Sequence, residues 1–218
     1  GSAGRFPARW RQFDFGQPEP WFATPGGQAG MATDEYAQAQ QALAAWTNDA
    51  TSDIRFTWAG VAAESAGSSH IVWNDPRGEI AGSYDCKSGG TLALGGPYAS
   101  LPGHVRNGVT YANIDEGDVV VQDGAGCEFD GHGGADGAET LAHELGHALG
   151  FGHACGDSLS PSCNGNPVLD DALMRAYIHA DGRGASLRAD DIAGAAFVYG
   201  PVGVATGRPD PLFANGFE

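Results

Sequence analysis

Between residues 143 and 153 the chain reads His-Glu-Leu-Gly-His-Ala-Leu-Gly-Phe-Gly-His, gathering three imidazoles and a carboxylate in one short stretch. On an α-helix, positions four apart share a face, so His143 and His147 can aim ring nitrogens at one point with Glu144 beside them. A catalytic zinc takes three protein donors and keeps a fourth position open for water. His153 is the candidate third donor, although a helix continuing beyond His147 would carry it to another face. Gly150 removes that difficulty: glycine adopts positive φ at low cost, so the helix can stop there and the chain can turn back. The chemistry implied is hydrolysis, with zinc at His143, His147 and His153 activating water and Glu144 as general base.

The elements that must position these groups follow from local pattern. Asp136 reads as an N-cap and Glu139 completes a capping box, which predicts a helix over Ala138–Leu149. Further helices are expected at about Thr33–Asn48 and Arg188–Tyr199, and strands at Phe13–Phe15, Ile54–Trp58, His70–Trp73, Thr91–Leu94 and Val119–Val121. Glycine supplies 35 of 218 residues, about twice average usage, and its concentration between Gly60 and Gly137 implies many turns. The fold class is α+β: an upper half to about residue 150, a smaller irregular half over 151–204, and a substrate cleft between them. Residues 205–218 read as a loosely attached tail.

The extended histidine pattern, with Met174 downstream in Ala172-Leu173-Met174, resembles the metzincin clan of zinc metalloproteases. Within it the chain looks most like a matrixin, the catalytic domain type of matrix metalloproteases. Ala42–Trp46 leading to Ile54-Arg55-Phe56 is similar to the first matrixin helix and strand, Gly90–Ala93 to the strand beside the cleft, and Leu187–Gly194 with Tyr199-Gly200 to the last helix. The resemblance implies a twisted, mixed five-stranded sheet with two long helices above and a C-terminal helix below. It also implies Met174 as a methionine turn beneath the zinc, an extended substrate pairing with the backbone of Leu92 and Ala93, and Tyr177 near the specificity pocket. For Asp190-Asp191 it implies one carboxylate receiving an N-terminal ammonium and the other bonding near the methionine turn; a helix-start charge pair is the other reading. The chain departs from matrixins at Arg175-Ala176-Tyr177, where Tyr-Pro is usual, and in having no His-x-Asp start to a structural zinc site. His70, His104 and His132 are accordingly read as surface or loop residues, and Ca²⁺ stays a possible ligand. An astacin-like or snapalysin-like protease, with Tyr177 as an additional ligand, is the alternative. A zinc-binding module without turnover is a further one, opposed by the presence of Glu144.

Composition fits a secreted, extracellular enzyme, and the resemblance implies a monomer acting on protein or peptide. Eleven basic against 27 acidic residues give a net charge of −16, unsuited to nucleic acid or an anionic membrane, and no apolar run is long enough to span one. Gly1-Ser2 without an apolar leader reads as a processed start. The proximity of Cys155 and Cys163 favours their pairing, leaving Cys86 with Cys127; disulfides indicate an oxidising compartment, and zinc on the four cysteines is the competing reading. Arg5, Arg9 and Arg11 crowd the start, as if an N-terminal arm lay across an acidic body. No cysteine precedes Cys86 to occupy the zinc as a matrixin pro-segment does. Asp14 could do so from the arm, in competition with Trp10–Phe15 as a first strand.

Overall fold

The computed structural model describes residues 6–201; Arg5 and the expected tail lie outside the described residues. In chain order the strands and helices are β1 (Ala8–Arg9), β2 (Glu19–Ala23), α1 (Glu35–Thr47), β3 (Phe56–Val61), β4 (Ser69–Val72), β5 (Ala93–Arg106) and β6 (Val109–Val121). Then follow α2 (Gly126–Phe129), α3 (Ala135–Ala148), α4 (Pro167–Asp170) and α5 (Ala189–Tyr199).

The sheet is mixed, as expected, but it has six strands instead of five. β1, β6, β4, β2 and β3 run parallel in that order, and β5 runs antiparallel to β6. Val119 pairs with Ile71 of β4 and also with Gly95 of β5, so those strands occupy opposite edges of β6. All four residues of β4 are buried, as expected for a strand covered on both faces, whereas β3 alternates between its faces.

Two of the six were not expected: β1, from the N-terminal arm, and β2, which lies between β4 and β3. In place of the expected strand at Phe13–Phe15 the chain forms a 3₁₀ helix over Arg11–Phe15, ended by Gly16 at φ 67°. The tighter turn brings residues three apart into line, so Trp10 and Phe13 both enter the core, where Phe13 meets Phe56 and Tyr199. It also returns the Asp14 carboxylate to Arg9, which donates to both its oxygens at 2.7 and 2.8 Å. Arg9 is fully buried with its guanidinium over Tyr199 and Tyr111, and Arg106 Nη1 approaches Asp14 at 3.2 Å. Burial alone would push the Asp14 carboxyl up, but Arg9 and then Arg106 outweigh it and hold it below the usual carboxylate value. Asp14 is thus engaged by arginines and not offered to a metal, and Arg9 is neutralised within the arm instead of lying on an acidic body. Arg11 remains exposed beside Phe15.

β5 and β6 are far longer than the short strands expected at Thr91–Leu94 and Val119–Val121. They form one hairpin closed by Asn107-Gly108, both at positive φ, between the paired Arg106 and Val109. β3 begins two residues later than expected. The long helices match closely: α1 is capped by Asp34, whose carboxylate accepts from Tyr36 and Ala37, and it packs on α3 with Trp46 Nε1 donating to the Ala142 carbonyl at 2.8 Å. Cys86–Cys127 and Cys155–Cys163 form the disulfides, and no described helix is long and apolar enough to cross a membrane.

Candidate metal centre

α3 carries the first two histidines, and its start differs from the expected capping box. The N-cap is Gly134, at φ 96°, with no side chain serving the cap. Asp136 is already inside the helix and its carboxylate faces His132 Nδ1 at 2.9 Å, while Glu139 accepts from the His179 backbone N–H at 2.9 Å and lies 2.7 Å from His179 Nδ1. The helix end is the expected one. Gly150 has φ 93°, its N–H donates to the His147 carbonyl, and the Phe151 N–H reaches back to Gly146, a Schellman arrangement. Trp10 Nε1 and the Tyr199 hydroxyl satisfy the carbonyls of Ala148 and Leu149, so the end is buried without orphaned acceptors.

The turn at Gly150 brings His153 back to His143 and His147. Nε2 of His147 lies 3.1 Å from Nε2 of His143 and 3.1 Å from Nε2 of His153. The opposite ring atoms fix which nitrogen carries the proton. His143 Nδ1 lies 2.9 Å from the Leu173 carbonyl, His147 Nδ1 lies 2.8 Å from the Phe151 carbonyl, and His153 Nδ1 meets the Asp157 carboxylate. Carbonyls and carboxylates only accept, so each Nδ1 must donate, and in their neutral form the rings turn three Nε2 lone pairs towards one another. The close Nε2 contacts are therefore not hydrogen bonds. Tetrahedral zinc with Zn–N near 2.0–2.1 Å spaces its nitrogens by about 3.3 Å, close to what is found here. Among the described residues this is the one cluster of three or more His, Cys, Asp or Glu side chains able to hold a metal ion.

The electrostatics agree with metal-ready rings. Desolvation, reinforced by the neighbouring imidazoles, pushes His143 well below the ordinary histidine value and His147 down to about 4. Burial pushes the Glu144 carboxyl up to about 8, against a smaller opposing contribution from the Gly95 N–H. β5 approaches this turn so closely that a Cβ on Gly95 would lie 2.2 Å from the Glu144 carbonyl oxygen. Burial pushes Asp157 up as well, but His153, the Ser160 hydroxyl and the N–H groups of Leu159 and Ser160 prevail and hold it far below the usual value.

Met174 is 3% exposed, and its sulfur fills the space of the side chain that Gly146 lacks; a Cβ there would lie 2.2 Å from Sδ. Asp191 receives the N–H groups of Leu173 and Met174 at 2.8 and 3.0 Å, which ties α5 to that turn. Asp190 lies in the first turn of α5, and the N-terminus it would meet lies outside the described residues. Tyr177 is 64% exposed and, with Gly156, Asp157, Asp170 and Arg175, lines an open depression of about 450 Å³ next to the His153 side of the cluster. The Leu92 carbonyl accepts from the Gln122 N–H and so faces β6, which removes Leu92 from the free edge. By strand alternation the backbone groups of Ala93 point the other way. His70 and His104 are not surface residues. His70 is 2% exposed within β4, and His104 is wedged between Arg9 and Asn113.

Sequence reasoning missed Asp157, His179 and the carbonyls of Phe151 and Leu173. Asp157, four residues past His153, was the only one with a visible signal, whereas carbonyls have no letter of their own. No family model matches this chain, and no curated protein matches it either.

Proposed function

We propose that this protein is a secreted zinc-dependent endopeptidase of the metzincin type, most like a matrixin. The observation that carries the reading is the trio of Nδ1 donors held by Leu173, Phe151 and Asp157, which leaves three Nε2 lone pairs facing one point with nothing but a cation to reconcile them. Zinc held by His143, His147 and His153 supplies Lewis acidity, polarising a carbonyl and lowering the pKa of water to about 7.

The chain's own groups do the rest. Glu144 lies beside the ligands on the same helical turn; burial raises its carboxyl to about 8, and a dication at the histidines would favour the charged carboxylate that a general base must be. It takes a proton from the attacking water and returns it to the leaving amine. An extended peptide adds to the free edge of β5 through the backbone of Ala93, in a cleft between the part before residue 150 and the part after it. Met174 and Trp46 pack against Gly146, on the turn between the two helical ligands, and Tyr177 with the depression beside it contacts a substrate side chain. Two disulfides support an oxidising, extracellular setting, and the net charge of −16 supports a monomeric enzyme that binds neither nucleic acid nor membrane.

The test is cleavage of gelatin or casein by wild type and Glu144→Gln, each with its zinc content measured. The reading expects one zinc in both proteins and a rate lower by about 10²–10⁴ in the variant. A wild type that holds one zinc and cuts nothing would refute the protease reading.

A further inference from the structure

The three converging imidazoles are not anchored alike. His143 and His147 turn Nδ1 to main-chain carbonyls of Leu173 and Phe151. His153 turns its Nδ1 to a side chain, Asp157, and this pair is the most exposed part of the cluster, at 26% and 30%. An exposed ring held by a rotatable side chain needs something else to order both.

The loop that carries Asp157 is built to do so. Cys155 and Cys163, eight residues apart, close it, and Gly156 at φ 106° lies beside the crosslink. Cys155 is fully buried and bonded to the segment after Met174: its carbonyl accepts from Ala176, while the Ala154 N–H donates to Met174. Inside the loop, Asp157 Oδ1 accepts from the N–H groups of Leu159 and Ser160 at 2.9 and 2.7 Å, and Ser160 Oγ accepts from the Asp157 N–H. One carboxylate oxygen is thereby tied to the loop backbone and the other is left for His153.

We propose that the Cys155–Cys163 loop is a clip that positions His153 through Asp157, so that retention of zinc depends on the crosslink. The proposal rests on the reading of the three histidines as a zinc centre and names Asp157 as a positioning residue. An ordered acceptor keeps the His153 ring in its metal-facing orientation before the ion arrives, and loss of such a partner lowers metal affinity about 10–100-fold. Without the crosslink the loop samples open conformations, and the carboxylate spends less time at the ring.

The experiment is stopped-flow release of zinc to a chromophoric chelator from wild type, Asp157→Asn, Cys155→Ala/Cys163→Ala and the triple variant, with the visible spectrum of each cobalt-substituted protein. Release is expected to quicken by about 10–100-fold in Asp157→Asn and by about tenfold in the crosslink-free protein. The triple variant should release no faster than Asp157→Asn, because the crosslink acts through that carboxylate. The cobalt bands should shift in all three variants. A wild-type release rate without the crosslink overturns the proposal, as does a crosslink effect that persists in full when Asp157 is already Asn. If the double alanine variant does not fold, Asp157→Asn decides against Ser158→Ala, a change in the same loop: equal rates in these and the wild type sink the idea. A wild type that takes up no zinc refutes the zinc centre itself, an outcome separate from equal release rates.

Discussion

Replacing Gly95 by alanine probes how β5 is held against the turn of α3 that carries Glu144. A Cβ at position 95 would lie 2.2 Å from the Glu144 carbonyl oxygen, 2.7 Å from its carbonyl carbon and 2.8 Å from its Cα. These are main-chain atoms inside a hydrogen-bonded helix and cannot rotate aside. To reach even the 3.0 Å that real contacts respect, the strand must retreat by about 0.8 Å. Overpacking of this kind costs about 1–3 kcal/mol, and three backbone atoms in the way place Gly95→Ala near the upper end. A shift of that size beside the reacting groups lowers a rate by about 10²-fold. Gly96 is the internal control: it neighbours Gly95 on the same strand, and a Cβ there meets nothing within 4 Å. Urea unfolding and peptide cleavage, measured on zinc-loaded Gly95→Ala and Gly96→Ala, make the comparison. Gly96→Ala should match wild type in both. If Gly95→Ala also matches wild type in both, the close apposition of β5 and α3, and the reasoning built on it, is wrong.

Two further predictions concern charge. In the metal-free protein the folded pKa of His147 is about 4, below its unfolded value, so the unfolded chain binds protons first and this contribution to stability is lost as pH falls below 6.5. Glu144 acts oppositely: with its folded pKa raised to about 8, its contribution is complete below 4.5 and lost as pH rises through 8. A bound dication favours the charged carboxylate, so the rise in Tm on adding zinc should grow between pH 6 and pH 8; a rise that is flat or shrinks over that interval contradicts the assignment. Asp14→Asn leaves the buried Arg9 uncompensated and should cost about 3 kcal/mol in urea unfolding while zinc content stays at the wild-type level. The Asp14 contribution is present above pH 3.8 and lost as pH falls through its depressed folded value, so wild type and variant should converge in acid.

Helical periodicity was enough to place His143, His147 and Glu144 on one turn, because that arrangement depends on spacing within a single element. The bend at Gly150 was equally legible, since a glycine followed by a stranded third histidine leaves little else for the chain to do. What the sequence concealed lay between elements. The Asp136 capping box fails because the left-handed Gly134 already starts the helix and His132 competes for the carboxylate. His70 and His104 look like polar surface letters until the sheet closes over one and Arg9 and Asn113 over the other. The β5–β6 hairpin is a different kind of miss: Asn107-Gly108 is a strong two-residue turn signal, but the flanking Gly and Pro obscured the alternation that would have extended both strands. The arm's 3₁₀ turn depends on an arginine being buried with its carboxylate five residues on, a pairing that no local propensity specifies.

The partners of the three Nδ1 atoms lie at Phe151, Asp157 and Leu173, all downstream of α3. During folding, a nascent helix can present His143 and His147 as a two-toothed handle long before those later segments are in place. On the zinc reading, metal capture would proceed in stages, first a loose bidentate grip and then closure as His153 swings in and the Met174 turn docks. The ion would thus serve as a late latch on the C-terminal third of the chain, making the speed of loading a gauge of how far assembly has advanced.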